Sequence, residues 1–454
     1  MKFLLILWLS KLAAAAVNLI DKRRGSNYAG KLATRLMPGF VAGFRGIDYD
    51  KVIFITGTNG KSTTTNLVNH TLKTAGRTVA CNVEGANMMA GVATALIKNS
   101  TLGGRLNKEF LVLEIDERSL PAIRKVLPAR HMGITNLEKD QVQRNGDPDF
   151  ILRKFEQAIG KDMTLYLNNE EPRSKALEDR AGGAVYFSVA ENERTFRREG
   201  PWHVTQPCVK CGHPIAFRYY NMASIGPFAC TRCGHRSGDA PEVLIEAVDF
   251  DGHTFRCGGT DFHATYNEPF YIYNYAMDIA ICRGFGLTDE ELRRGFETFV
   301  NPAIHVTEYT YLGKEVRYLR GKQENPEALQ SQLERIAADG RKKAVFVGMH
   351  VVSDFLPYYA GSFYFFDCDF APVAESGAVA FVAFSAAVAG DLASRMLFAG
   401  VPEERLTVLD TDDMDVVAAK LEELDVEVAY FLTNTHSVKR LNEYFISHGG
   451  TRHE

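Results

Sequence analysis

The chain has 454 residues, enough for two or three domains, and its 46% apolar and 24% charged residues exclude a disordered or fibrous protein. A formal net charge of −4 gives no basic footprint for nucleic acid. No low-complexity tract or fixed-period repeat breaks the sequence.

Residues 1–45 form an apolar N-terminal region. Phe3 to Ile20 is strongly apolar and runs into Asp21-Lys22-Arg23-Arg24. One reading is a signal peptide or membrane anchor. The other is an amphipathic helix, docked on the body or lying on a membrane surface. Ser10, Lys11 and Asn18 interrupt the run, and a charge at Lys11 is costly in lipid, which favours the second. A nucleotide site downstream argues for the cytoplasm, including the inner face of the membrane.

That site lies in Lys51-Val-Ile-Phe-Ile-Thr-Gly-Thr-Asn-Gly-Lys-Ser-Thr-Thr-Thr65. Val52 to Ile55 reads as a buried strand. Gly57-Thr58-Asn59-Gly60 is a glycine turn, and Lys61 opens a helix to about Ala75. Glycines let backbone approach phosphate, and the free N–H groups and dipole of the helix start favour an anion. Lys61 is placed on the β/γ-phosphates of ATP and the Ser62 hydroxyl on Mg²⁺. The general P-loop pattern asks for Gly where Ile55 stands, so the match is to a shorter form, Gly-Thr-Asn-Gly-Lys-Ser/Thr-Thr. That form is typical of Mur ligases and folylpolyglutamate synthases, which make amide bonds through acyl phosphates.

Thr78 to Asn82 reads as a second strand, and Phe110 to Asp116 as a third that ends in Glu114, Asp116 and Glu117. Ligands of open α/β sheets sit at the carboxyl ends of strands. An acid there, across from the phosphate loop, can hold Mg²⁺, and Glu114 is the candidate. The alternative is solvated ion pairs of these carboxylates with Arg118 and Arg124. Further strands at His131–Thr135, Met163–Leu167 and Ala184–Ser188 continue an alternating β/α pattern, which predicts a mostly parallel sheet with helices on both faces.

Cys208-Val-Lys-Cys211 and Cys230-Thr-Arg-Cys233 are two knuckles separated by 18 residues, the spacing of a structural zinc ribbon at about 200–240. Four thiolates close a tetrahedron, so His213 and His235 are not needed as ligands. Two disulfides are the alternative and require an oxidising compartment. Cys81, Cys257, Cys282 and Cys368 read as small buried apolar residues. Arg194, Arg197, Arg198 and Arg218 form either a basic face or solvated charges.

Glu242–Phe250, His253–Cys257 and Asp261–Thr265 read as a meander, followed by a helix at Tyr271–Gly284 and another capped by Thr288. Asn301-Pro302 marks a boundary between a central domain at 46–300 and a second α/β domain at 301–454. There, strands at Lys343–Met349, Val379–Phe384 and Val428–Thr433 alternate with helices at Pro326–Ala338, Ala387–Ala399, Asp413–Leu424 and Ser437–Ser447.

The combination resembles the MurT family, the Mur-ligase-like subunits of lipid II isoglutaminyl synthase. The matching features are the Gly57–Thr65 loop, Glu84-Gly-Ala-Asn87, Leu113-Glu-Ile-Asp-Glu117, the four-cysteine insert, Tyr273-Asn274 and Phe366-Asp-Cys-Asp-Phe370. The resemblance implies an α/β Mur-ligase central domain with an inserted four-cysteine zinc ribbon, then a C-terminal Mur-ligase-like α/β domain. It implies ATP-dependent amidation of the D-glutamate α-carboxylate of lipid II. It also implies a heterodimer with a glutaminase, GatD-like, that supplies ammonia. Lys61 and Glu114 become catalytic residues. Gly57, Thr58, Asn59, Gly60, Lys61, Ser62, Thr63 and Asn274 become nucleotide-binding, with Ser62 and Glu114 on magnesium.

Several positions depart from the family or its peptide-forming relatives. Gln141 follows Asp140 where those ligases carry His. Their carbamylated lysine falls near Glu156, with only Lys154 and Lys161 close by. Val306 replaces an Arg, and Lys322-Gln-Glu-Asn-Pro326 breaks a Lys-Asn-Pro segment. The Asp that completes the partner's Cys-His site aligns with Gly361; Asp354 is the nearest upstream carboxylate and Asp367 lies downstream. These departures set a nucleotide-binding scaffold with a degenerate ligase site beside amidation; a third function is an amino-acid ligase of Mur or folylpolyglutamate type, against which the missing lysine and the four-cysteine insert weigh.

Overall fold

The computed structural model describes residues 1–20, 25–82, 86–140, 147–197, 206–222, 224–301, 307–319, 325–348, 363–433 and 435–453. Two compact units divide the chain: Met1–Glu138 with Asp147–Ala303, and Lys139–Gly146 with Ile304–Glu454.

The first unit is built on a nine-stranded sheet. Its strands are β1 (Val52–Thr56), β2 (Val79–Cys81), β3 (Phe110–Glu114), β4 (His131–Ile134), β5 (Thr164–Asn168), β6 (Gly183–Val189), β9 (Val243–Asp249), β10 (Thr254–Cys257) and β11 (Thr260–His263). In space they run β2-β3-β1-β4-β5-β6-β9-β10-β11. The pairs from β2 to β9 are parallel, and β9-β10-β11 closes the edge as an antiparallel meander. The central strands are buried on both faces, which explains their unbroken apolar runs such as Val52-Ile-Phe-Ile55. After β3 the chain crosses β1 to form β4, so the crevice at the end of β1 lies where the winding reverses.

Helices α1 (Lys2–Ile20), α2 (Gly25–Leu36), α3 (Lys61–Thr74), α4 (Met89–Asn99), α5 (Leu120–Val126), α6 (Pro148–Ala158), α7 (Pro269–Gly284) and α8 (Asp289–Thr298) cover the sheet. Thr288 caps α8 through the expected capping box with Glu291. Helix α1 is docked on the body: Ile6 and Leu7 join the core, and Phe3 packs against Phe40 and Phe44. A small hairpin, β7 (Ile215–Phe217) with β8 (Phe228–Cys230), carries the cysteines.

The second unit has a seven-stranded sheet ordered β16-β15-β14-β17-β13-β12-β18. Its strands are β12 (Thr307–Tyr311), β13 (Lys314–Tyr318), β14 (Lys343–Gly348), β15 (Ala380–Phe384), β16 (Leu406–Leu409), β17 (Val428–Leu432) and β18 (Thr451–His453). The helices are α9 (Pro326–Ala338), α10 (Ala389–Phe398), α11 (Met414–Lys420) and α12 (Thr435–Ser447), besides shorter turns. Helix α11 is shorter than the Asp413–Leu424 expectation, because the chain tightens into a 3-10 turn at Leu421–Glu423. The β12–β13 hairpin, β16 and β18 have no counterpart in the sequence reading. The hairpin turn places Leu312 at φ +51° and Gly313 at φ +72°. A leucine in a left-handed position hides the Asn-Gly signature by which such turns are found.

Candidate active site and cysteine cluster

The loop after β1 is shaped by two glycines. Gly57 has φ +123°, and a Cβ there would lie 2.3 Å from Thr135 Oγ1; Gly60 has φ +83°, and a Cβ there would meet Asn274 Oδ1 at 2.7 Å. Neither position admits a side chain. The loop is fastened to the segment following β4. Thr58 N donates to Asn136 O (2.8 Å), Asn59 N to Asn136 Oδ1 (2.9 Å) and Asn59 Nδ2 to Glu138 Oε2 (2.7 Å). Sequence reasoning assigned no role to Asn136 or Glu138, because pairing across 77 and 79 residues leaves no local pattern.

Lys61 opens α3, and its side chain is 6% exposed. Its ammonium donates to Thr58 O at 3.0 Å, to Gly57 O, and to Glu117 Oε1 at 2.7 Å. Glu117 is thus the carboxylate that holds the loop lysine, a role the sequence reading did not give it. Its signal was position alone, three residues beyond Glu114 at the end of β3.

Glu114, Asp116 and Glu117 are all buried, which corrects the alternative of solvated pairs with Arg118 and Arg124. Arg124 instead pairs with Asp162 at 2.6 Å. Glu114 Oε1 accepts from Asn87 Nδ2 (2.9 Å), and Asn82 brackets the Glu114 backbone from both sides. Buried carboxylates at a strand end and hydroxyls on the first turn of a helix, the two joined by the Lys61–Glu117 pair, are donors of the type a hard divalent cation takes. Ser62 and Thr63 are half-buried on that turn, and Asn301 Nδ2 donates to Thr63 Oγ1 at 3.2 Å.

Asn274 projects from α7 against Gly60, and its Oδ1 accepts from Thr64 Oγ1 at 3.0 Å. Its Nδ2 is buried without a hydrogen-bond partner among the described residues. Next to it, Tyr273 donates to Glu170 Oε2 at 2.6 Å. Burial pushes the Glu170 carboxyl up to about 7, against the donations from Tyr273 and Val189 N. Asn221, from the cysteine-bearing segment, donates to Tyr273 Oη (3.1 Å) and to Val189 O (2.8 Å).

The cysteines converge as spaced. All four Sγ atoms lie within 4.8 Å of one another, with Cys208–Cys233 at 3.7 Å and Cys211–Cys230 at 3.4 Å. A tetrahedron with Zn–S bonds of about 2.3 Å has sulfur–sulfur edges of about 3.8 Å. The cluster fits that geometry and not a disulfide, whose sulfurs sit about 2 Å apart. Arg232 N and Cys233 N both point at Cys230 Sγ (3.4 Å each), and these donations draw its thiol down to about 6. His213 Nδ1 faces Cys211 O and His235 Nε2 faces Pro172 O, so both imidazoles are engaged outside the tetrahedron.

Arg194 pairs with Glu268 and Arg197 with Glu191, which removes two members of the suggested basic face. Glu156, near the position of the relatives' lysine, pairs with Arg180, and Lys161 is spent on the carbonyls of Asp179 and Ala181. Asp354, Gly361, Val306, Lys322, Gln141 and Glu84 lie outside the described residues.

Comparison with known proteins gives a consistent family. The Mur ligase middle domain matches residues 55–210 and the MurT ligase C-terminal domain residues 323–436. The chain is 30% identical over 303 residues to the lipid II isoglutaminyl synthase (glutamine-hydrolyzing) subunit MurT of Staphylococcus aureus (strain COL), covering 64% of this chain and 65% of that protein. It is 24% identical over 450 residues to the subunit of the same name from Streptococcus pneumoniae (strain ATCC BAA-255 / R6), covering 95% and 94%. Among solved structures, the pseudomurein peptide ligase type C of Methanothermus fervidus superposes with TM-score 0.65 at 16% identity, over 90% of this chain and 80% of that one. MurF of Acinetobacter baumannii superposes with TM-score 0.60 at 12% identity, over 92% and 80%. These two establish likeness of fold.

Proposed function

The chain is a divergent member of the MurT family of Mur-ligase-like proteins, and from that premise we propose that it is the ATP-using subunit of an amide-forming synthase of peptidoglycan assembly. The acceptor is the α-carboxylate of D-glutamate in the lipid II stem peptide. The carboxylate oxygen attacks the γ-phosphorus of ATP and ADP leaves. Ammonia then attacks the acyl phosphate, phosphate leaves, the nitrogen loses a proton, and D-isoglutamine results. A GatD-like glutaminase partner supplies the ammonia.

The observation that carries this reading is the buried Lys61–Glu117 pair at the mouth of the Gly57–Gly60 loop, beside Glu114 at the end of β3. Little covalent chemistry falls to the protein here; charge neutralisation and positioning do the catalysis. Lys61 faces the β/γ-phosphates, with Glu117 fixing its ammonium at the loop. Ser62 and Glu114 would hold magnesium, which when bound would supply charge neutralisation at the phosphates. Thr58 and Asn59 stand in the same loop and Thr63 on the first turn of α3, and Asn274 Nδ2, which has no hydrogen-bond partner among the described residues, donates to nucleotide. Cys208, Cys211, Cys230 and Cys233 hold a structural zinc. Asp354 is the candidate for the carboxylate lent to the partner's imidazole.

A second reading, a degenerate scaffold that binds nucleotide without turnover, draws on Glu156 and Lys161 being committed elsewhere. The test is ADP release by the purified chain with lipid II, using ammonium chloride to replace the partner, and mass analysis for conversion of carboxylate to carboxamide. Amidated lipid II is expected. Nucleotide binding without ADP release or product would sink the ligase reading and leave the scaffold.

A further inference from the structure

Helix α1 is apolar on both faces. Its inner face is fixed by Ile6 and Leu7 in the core and by Lys11, whose ammonium donates to Ser100 O at 2.8 Å and to Ile97 O. Its outer face carries Leu5, Trp8, Leu9 and Leu12, exposed by 58, 45, 49 and 70%. Their spacing of three and four residues makes one stripe along the helix. Trp8 Nε1 donates to Leu102 O at 2.8 Å, and Leu102 itself is 67% exposed, so the patch extends beyond the helix. A helix on a solvent-facing surface presents polar residues outward, and an apolar stripe there marks a contact to be made.

Charge tells what the contact is with. Residues 1–47 hold eight Lys and Arg against one acid, whereas the remaining residues hold 44 against 55. Lys31 and Arg35 are exposed on α2 beside Tyr28, at i, i+3 and i+7. Lys22, Arg23 and Arg24 join the two helices in sequence. An anionic lipid surface attracts this segment and repels the acidic remainder, so it is approached by one face only. Among the described residues no helix is long and apolar enough to cross a membrane. We propose that α1 and α2 form a dock for anionic membrane surfaces, with Leu5, Trp8, Leu9 and Leu12 entering the headgroup–acyl boundary and Lys31 and Arg35 at headgroup level. The helix lies in the interface, held between the protein and the lipid.

The experiment is co-sedimentation of the full chain with vesicles of phosphatidylcholine alone and of phosphatidylcholine with phosphatidylglycerol, at low and high salt. Binding is expected to the anionic vesicles and to fall with salt. Leu9→Glu/Leu12→Glu and Lys31→Glu/Arg35→Glu should each weaken it by about tenfold or more. Both pairs of positions are outward-facing, and an unchanged melting temperature checks that the variants fold. With Trp202→Phe, Trp8 is the sole tryptophan, and its emission should shift to the blue on anionic vesicles. Equal partition of wild type and Leu9→Glu/Leu12→Glu overturns the proposal. So does a salt-independent dimer abolished by Leu9→Glu/Leu12→Glu, which would make the occupant a second copy. Loss of vesicle binding when the glutaminase partner is present would likewise assign the face to that partner.

Discussion

Tyr273→Phe removes one oxygen from the interior of the first unit and gives a pH-dependent signature. The Tyr273 hydroxyl donates to Glu170 Oε2 at 2.6 Å, and burial raises that carboxyl from 4.5 to about 7. A raised acid pKa means that the folded state binds the proton more tightly than the unfolded state. Stability is therefore full below about pH 4.5 and falls as pH rises toward 7, by about 3 kcal/mol for this group alone. Tyr273 opposes that loss, because its hydrogen bond is worth about 1.5–3 kcal/mol to a carboxylate but only about 1 kcal/mol to a neutral acid. Thermal unfolding of wild type and Tyr273→Phe should be compared from pH 5.5 to 8. The variant is expected to be less stable throughout, with a deficit larger by about 1 kcal/mol, roughly 2 °C, at the alkaline end. Glu170→Gln should flatten the pH dependence in both backgrounds. A deficit independent of pH, or an unchanged slope in Glu170→Gln, would refute the coupling of Tyr273 to the charge on Glu170.

Metal analysis should find one zinc per chain, and Cys208→Ser should lower its retention, since four thiolates leave no spare ligand; full occupancy in the variant would count against the assignment. Lys61→Ala should abolish ATP turnover and, by stranding the buried Glu117 carboxylate, lower stability by about 3 kcal/mol or more. Adding Glu117→Gln should restore much of the stability and none of the turnover, so recovery of both would mean that Lys61 is structural. Glu114→Gln should raise the magnesium concentration needed for half-maximal ADP release, and an unaltered magnesium curve would remove it from the metal site. Glutamine hydrolysis by the complex should fall in Asp354→Asn and not in Asp367→Asn; rates unchanged from wild type in both would confine this chain to the ATP-dependent half-reaction.

What could be read from sequence followed the range of the interactions. The strand Val52–Thr56, the Gly57–Gly60 turn and helix α3 are contiguous, so apolar run, glycines and lysine announced them together. The knuckles at Cys208–Cys211 and Cys230–Cys233 were equally legible, because metal geometry dictates the spacing within each pair. Glu117 was not, since nothing local separates an acid that grips Lys61 from one that faces a cation. Glu170 and Tyr273 are 103 residues apart, and each alone reads as an ordinary strand-end acid or helical aromatic. The hairpin at Thr307–Tyr318 was hidden for a conformational reason, a leucine at φ +51° in the turn.

The cysteine-bearing segment bears on the loop after β1 through α7. Gly226 N donates to Glu170 O at 3.1 Å, and Asn221 donates to Tyr273 Oη and Val189 O, so the cysteine-bearing segment grips the turn after β5, the end of β6 and α7. The residue after Tyr273 is Asn274, whose carboxamide touches Thr64 and sits where a Gly60 side chain would be. A hairpin of two three-residue strands has too little apolar area to hold its own shape, and its core among described residues is Cys208, Ile215, Phe228 and Cys230 with a few neighbours. Two of those core residues are metal ligands by type. On the proposed reading, zinc held by the four cysteines would fix the place of Asn221 and Gly226, and through Tyr273 that of Asn274 beside the Gly57–Gly60 loop.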